Sequence, residues 1–436
     1  MTNELSTPFY NYIVEGYQGF LGATAGNFMP LREAAFSRFK AMGIPTLKWE
    51  DWRSTNVQSF LKDAFTFSPA PAVITDAQLA PAAIVGLDAY RVVMVNGHFN
   101  PALSVLPAIK GVTIQPLAEA AEHPLVKEHL GQHVHVQDQP FVALNTALFT
   151  GGLFIEVAKG VTVDKPVHLI NVYTANNENA FVQPRNLWIV HTNAALEIVE
   201  SVLDLSENGI VLVNGVTESV VKENAEFSHY NLQMAAKDGR YIHYTATEQE
   251  QYSRYHHFNF TLPAASLTRN NLSIALHGSY TETNMRGLWV ATESQHVDNH
   301  TFVDHLQPHC NSNELYKGVL LDTARAVFTG RIHVDQVAQK TNAFQQNNNL
   351  LLSADANINS QPQLEIYADD VKCSHGFTVG QFNEEALFYL RSRGIGRDAA
   401  RNMLVGAFAY DITDDVKIPA IQDYIVSHIE QSITIN

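Results

Sequence analysis

The chain has 436 residues, 46% of them hydrophobic, which suffices for two or three structural units at roughly 150 residues each and excludes intrinsic disorder. Asp and Glu number 44 against 28 Lys and Arg, a formal charge of -16, so the surface repels phosphate backbones and anionic headgroups, and neither nucleic acid nor a membrane is expected as a partner. Only 17% of residues are charged, against about 25% in an ordinary soluble domain, which points to surface covered by another subunit.

The first 65 residues read as a helical region: Leu31, Ala35, Phe36, Phe39 and Met42 recur at three- and four-residue steps before Gly43-Ile-Pro45 ends the pattern. Met1-Thr-Asn-Glu-Leu5 has neither a basic start nor an apolar run, and no later stretch supplies about eighteen uninterrupted apolar residues, so an unexported protein is expected. Residues 66–140 form a linker and mixed region, because the chain between Phe67 and Pro81 is rich in Ala, Pro, Ser and Thr.

From Phe141 to Gly380 short β-prone runs alternate with Asn, Asp and Gly. An echo recurs at Asn193-Ala-Ala-Leu, Asn224-Ala-Glu-Phe, Asp322-Thr-Ala-Arg and Asp355-Ala-Asn-Ile. A turn residue, a small residue and alternating apolar positions are what each rung of a strand solenoid requires, since a rung buries one face against its neighbours. The fold expected over 141–380 is therefore a parallel β-helix, with a β-sandwich of equal strand count as the competing arrangement. The amides of Gln345-Gln346-Asn347-Asn348-Asn349 are placed to stack as a ladder before Leu350-Leu351-Leu352 enters the core.

Residues 381–436 return to helix. Asn383 is the expected N-cap of a helix opened by Glu384 and Glu385, with Arg391 and Arg393 at its end and Gly394 closing it in the left-handed conformation. A second helix is read from Arg397 to Tyr410, and a third after Pro419 with Ile421, Tyr424, Ile425 and Ile429 on one face.

No phosphate-binding loop, dinucleotide fingerprint, His-Glu-x-x-His or Gly-x-Ser-x-Gly occurs, which removes the commonest NTPase, dehydrogenase and hydrolase signatures. Two cysteines, Cys310 and Cys373, cannot build a disulfide framework or a cysteine-rich zinc module, and a reducing cytosol fits them. Two clusters remain. In the first, His296, Asp298 and His300 alternate along one strand face, a spacing suited to a divalent metal and equally to hydrogen bonds between rungs; a structural role is expected for these and for Cys310. In the second, Cys373 and His375 point to the same side of an extended segment, and both are ligand types for iron. One such pair cannot hold a cluster alone, so a complete site would borrow ligands from another chain.

The runs Gln339 to Leu352, Pro362 to Gly376 and Phe388 to Ile395, with Asp298-Asn-His300-Thr, Asn313-Glu-Leu-Tyr316-Lys-Gly318 and Gly43-Ile-Pro45-Thr-Leu-Lys48-Trp-Glu50-Asp-Trp52, resemble the SufB/SufD family, and the Cys-Ser-His-Gly form at 373–376 lies on the SufD side of it. The resemblance implies a right-handed parallel β-helix between helical ends. It also implies a noncatalytic cytoplasmic scaffold that pairs as a heterodimer with a SufB paralogue, docks the SufC ATPase and assembles iron–sulfur clusters. His375, with Cys373 beside it, would then face SufB across the interface, and the cluster would be transient and shared, with none held by the isolated chain. Phe388, Tyr389, Leu390, Arg391, Arg393 and Gly394 would form the ATPase-docking segment. The β-helix alone also admits a carbohydrate-active protein of the pectin-lyase type, whose groove would use the aspartates at 298 and 304.

Overall fold

The computed structural model describes residues 7–23, 28–67, 72–175, 177–234, 238–263, 265–381 and 384–434. The expected N-cap residue Asn383 lies outside the described residues.

The strands stack into a parallel β-solenoid of about eight turns. Arg185, Val216, Tyr244, Asn271, His300, Thr329 and Gln361 stand side by side in one sheet, at successive steps of 31, 28, 27, 29, 29 and 32 residues. Each coil is thus one pair of strands, one in each of two facing sheets, and alternate residues of every strand point inward. Trp188, Ile274, Val303 and Phe328 from one sheet meet Phe227, Tyr255, Met285 and Tyr316 from the other in a continuous apolar core. Antiparallel pairing is confined to the start of the solenoid, where Tyr90–Val95 meets His98–Phe99 and Val112–Pro116 meets Leu153–Val157.

The corners explain the echo in the sequence. Asn193, Asn224 and Asp322 adopt left-handed φ values of 58°, 53° and 51°, a conformation that short polar side chains tolerate. Asp355, the fourth member of the echo, is not among the left-handed residues. Other corners place Tyr252, Tyr280, Glu293, His309 and Lys340 in the same conformation. Three of these rings form a ladder up the outside, Tyr252 on Tyr280 at 5.2 Å and Tyr280 on His309 at 4.6 Å, and the stacking offsets strain that the residue types alone disfavour. Gly152 is required where the first coils close: its φ is 123°, and a Cβ there would lie 1.7 Å from the Arg185 carbonyl oxygen.

Helices cover both outer faces. Helices α1 (Pro8–Ala23) and α2 (Met29–Met42) pack Phe9, Ile13, Phe36 and Phe39 on the first sheet at Phe181, Leu212 and Ile242; Gly43 ends α2 with φ 71° and donates its N–H to Phe39 O, as the periodicity predicts. A short helix α3 (Pro124–His129) follows. The run beginning at Phe141 is not the first strand of the solenoid but helix α4 (Pro140–Leu148), buried along its whole length. A short apolar run does not distinguish a buried helix from a buried strand by periodicity, and Pro140 at its first turn favours helix. Conversely, the region read as linker supplies Tyr90–Val95, which extends the second sheet alongside Val167–Tyr173, and a 3-10 helix, Asp76–Ala82, that buries Leu79.

At the other end come α5 (Glu384–Ser392), α6 (Arg397–Thr413) and α7 (Pro419–Thr434). Helices α6 and α7 lie along the flank of the second sheet rather than over its end: Val405, Ile412, Ile421 and Ile425 pack against Tyr230, Phe258, Leu288 and Val319. Lys317 Nζ donates to Asp411 Oδ2 at 2.6 Å, and Arg286 pairs with Asp415. Gly394 closes α5 with φ 89°.

Candidate functional site

The last coil consists of Asn357–Ile366 and Lys372–Gln381, which terminate the two sheets. Each pairs on one side only, so each leaves a row of backbone donors and acceptors open for another strand. Apolar side chains crowd this end: Tyr367 is 63% exposed, Phe377 54% and Val379 46%. Exposure of so many large apolar groups on one rim marks a contact surface.

Cys373 and His375 lie on the inward face of the final strand, in register with Ala343 and Gln345 of the coil below. Cys373 is half-buried and packs beside Ala343 and Ala368; burial pushes its thiol up, with a smaller opposing contribution from a backbone hydrogen bond to Ala343. His375 is exposed. The two side chains thus share the open mouth of the solenoid, and a cysteine sulfur and an imidazole are both ligand types for iron.

His296, Asp298 and His300 do share one face, the outer face of the first sheet, but each is occupied. Thr55 Oγ1 donates to Asp298 Oδ2 at 2.5 Å and lies 2.8 Å from His296 Nε2; His300 Nε2 lies 2.9 Å from Asp298 Oδ1. Arg269 forms a fully buried ion pair with Asp298, and its guanidinium lies 3.8 Å from the centre of the Trp52 ring. Burial opposes ionisation of Asp298, yet Arg269 and then His300 outweigh it and hold the carboxyl well below the usual carboxylate range. The cluster rivets the 3-10 turn Glu50–Trp52 to the solenoid. Among the described residues no group of three His, Cys, Asp or Glu is arranged to hold a metal ion. Asp304 accepts from His333 at 2.6 Å, so both aspartates of the carbohydrate-active alternative are engaged. Cys310 is buried in the core and donates to Gly278 O at 3.3 Å.

In the tail, Phe388 is 74% and Tyr389 57% exposed, Leu390 is half-buried, and Leu387 alone on α5 is buried. Arg393 Nη2 donates to Tyr389 Oη at 3.2 Å, and Gly394 donates to Arg391 O at 3.0 Å. Phe388, Arg391, Gly394 and Ile395 line an open surface hollow. Sequence reasoning missed Arg269 and Thr55, which only the coil register brings to Asp298, and the buried pair Arg185 and Glu218 at 2.6 Å. No local signal distinguishes those arginines from surface ones. It also missed Glu314, whose alternation with Ser312 and Tyr316 on one strand was the available clue.

Residues 173–408 match the sequence profile described as "SUF system FeS cluster assembly, SufBD core domain". The chain belongs to the SufBD family. Residues 18–169 match the SufBD N-terminal region. A protein of Synechocystis named as an iron-sulfur cluster assembly SufBD family protein is 34% identical, with 90% of this chain and 88% of that one covered. The iron-sulfur cluster assembly protein SufD of Escherichia coli is 30% identical over 90% of each chain. Protein ABCI7, chloroplastic, of Arabidopsis thaliana is 31% identical over 64% of this chain and 60% of its own. The SufBD profiles meet between residues 169 and 173, so the core domain includes both the open mouth at Cys373 and His375 and the exposed face of α5.

Proposed function

We propose that this chain is the SufD-type, noncatalytic scaffold subunit of a cytoplasmic SufBCD-type complex, in which it forms a heterodimer with a SufB paralogue and docks a SufC-type ATPase. The observation that carries the reading is the open mouth of the last coil. Two sheet edges and an apolar rim there surround Cys373 and His375, an incomplete ligand set that a second solenoid both closes and completes. The iron–sulfur cluster is cargo, transient and shared across that contact, and the isolated chain holds none stably. Its two free cysteines suit a reducing compartment, and no helix among the described residues is long and apolar enough to cross a membrane.

His375→Ala lowers cluster formation by the assembled complex given ferrous iron and sulfide under anaerobic conditions. It leaves melting temperature and circular dichroism unchanged, because an exposed imidazole is removed without opening a cavity. Wild-type cluster yield in a well-folded complex would remove His375 from the site.

The ATPase-docking segment is α5, which stands clear of the solenoid and presents Phe388 and Tyr389. Removing residues 383–436 would not test this cleanly, since each buried aliphatic side chain of α6 and α7 stabilises the fold by about 1.5–3 kcal/mol. Phe388→Ala with Tyr389→Ala touches no core contact, so the variant keeps wild-type stability and pairing with the paralogue but weakens ATPase copurification at least tenfold, as expected when about 1.4 kcal/mol or more of contact is lost. Undiminished ATPase capture would overturn the docking assignment.

A further inference from the structure

Directly beneath the exposed rim, two buried amides join the strands that bound the open mouth. Asn347 and Asn349, on the inward face of Asn342–Leu351, are register partners of Phe377 and Val379 on the final strand. Asn347 is wholly buried and Asn349 is 2% exposed. Asn347 Oδ1 accepts from Asn349 Nδ2 at 2.7 Å and from Ser360 Oγ at 2.8 Å, and Asn347 Nδ2 donates to Tyr316 O at 3.2 Å. Asn349 Nδ2 also donates to Thr378 O at 3.4 Å. Ser360 belongs to Asn357–Ile366, the terminal strand of the first sheet, and Thr378 to Lys372–Gln381, the terminal strand of the second, so one pair of amides holds both.

Filling space does not require asparagine at these positions. One inward column reads Gly287, Tyr316, Asn347 and Phe377 and the next Trp289, Gly318, Asn349 and Val379, so the coils below fill the same columns with aromatic rings and glycine. A Cβ at Gly318 would lie 2.4 Å from the Trp289 ring and 2.6 Å from Asn349 Oδ1; glycine leaves the room that both side chains occupy. Asn349 Oδ1 is buried without a protein partner, and a buried amide with an unpaired oxygen costs stability relative to an apolar side chain of similar size. What the hydrogen bonds supply, and an apolar contact does not, is direction.

The terminal coil needs that direction. Its strands are paired on one side only, and every residue of Asn357–Ile366 is at least partly exposed. A second solenoid that closes the mouth meets both edges at once, and whatever freedom they retain must be ordered at the expense of affinity. We infer that Asn347, with Asn349 and Ser360, is a positioning clamp: it sets the separation and alignment of the two terminal strands, and with them Phe377 and Val379, so that the paralogue docks on a preformed surface. Asn347 itself lies below the rim and acts through the strands it holds.

This rests on the interface assigned above, and the test separates the two. Each variant is made in the full chain, and its melting temperature alone and its dissociation constant with the paralogue are measured. Ser360→Ala removes one donor but leaves Asn347 Oδ1 bonded to Asn349 Nδ2, so the melting temperature stays at the wild-type value while pairing weakens roughly five- to tenfold, as for the loss of one hydrogen bond. Ser360→Thr and Ser360→Val have the same shape and differ by the hydroxyl: Ser360→Thr pairs as wild type and Ser360→Val as weakly as Ser360→Ala. Asn347→Leu, at a position no partner reaches, weakens pairing as well, and adding Ser360→Ala to it weakens pairing no further. A merely structural role predicts that pairing follows melting temperature and that Ser360→Val matches Ser360→Thr at equal stability; that result overturns the clamp. The interface itself is read from Phe377→Glu, which places a charge on the exposed rim. Loss of pairing in Phe377→Glu with Ser360→Val unimpaired removes the clamp alone, whereas wild-type pairing in Phe377→Glu overturns the interface and the clamp with it.

Discussion

Asp298→Ala lowers the stability of the chain by roughly 3–5 kcal/mol, the cost of leaving a buried charge without its partner. Asp298 is wholly buried and Arg269 is 1% exposed, so water cannot replace the lost carboxylate. The damage spreads along one identifiable path. Thr55 loses its acceptor, Arg269 loses the charge that holds it over Trp52, and the turn at Glu50–Trp52 is freed from the sheet. Urea unfolding shows a lower midpoint, and limited proteolysis cuts first near residue 53. Replacing both partners with apolar residues, Arg269→Met with Asp298→Leu, costs less than Asp298→Ala alone, because no orphan charge remains. Equal losses in the single and double variants would show that Arg269 finds another partner.

Mild acid unfolds the protein, and the midpoint lies between pH 6.5 and 4. Burial lowers His168 to about 4, His243 to about 4 and His305 to about 3. A histidine whose folded value is depressed leaves the unfolded state binding the proton more readily, so its contribution is complete above about 6.5 and is lost as pH falls toward the folded value. Each of the three contributes on the order of 3 kcal/mol by this linkage, and together they match the 5–15 kcal/mol of a typical domain. Circular dichroism against pH checks this. His305→Asn, which retains a hydrogen-bonding group for Ser312, moves the midpoint to lower pH; an unmoved midpoint would show that His305 is protonated without unfolding. Glu314 has the opposite sign: its neutral form is the stable one when buried, so its contribution is present below the unfolded carboxyl value and is lost as pH rises through about 7.

The repeat was legible because its corners use Asn193, Asn224 and Asp322, residues whose chemistry announces a left-handed turn. Corners at Tyr252, Tyr280, His309 and Lys340 were not, since they borrow their stability from stacking and neighbouring coils that no local window contains. The run at 345–349 shows the same division. Alternation was readable, and Gln345, Asn347 and Asn349 do turn inward, but in place of an amide ladder they bond to Glu314, to the Tyr316 carbonyl and to one another. Pairing across the last coil was suggested by an incomplete ligand set; the structure adds the unpaired edges and the apolar rim around it.

By itself the sequence determined the helices at 29–42 and after 384, the strand solenoid between them and the Cys373 and His375 pair on one strand face. Each of these rests on a period of 2 or 3.6 residues or on a turn residue, which are properties of a few neighbours in the chain. Tertiary structure decided which histidines and carboxylates are free. A step of 27 to 32 residues per coil brings Asp298 to Arg269 and Glu314 to Gln345 and sets Glu218 diagonally across from Arg185, close enough to pair. Register and desolvation are sums over many coils, so the difference between a metal ligand and a structural rivet at His296, Asp298 and His300 existed only once Thr55 and Arg269 had been folded onto them.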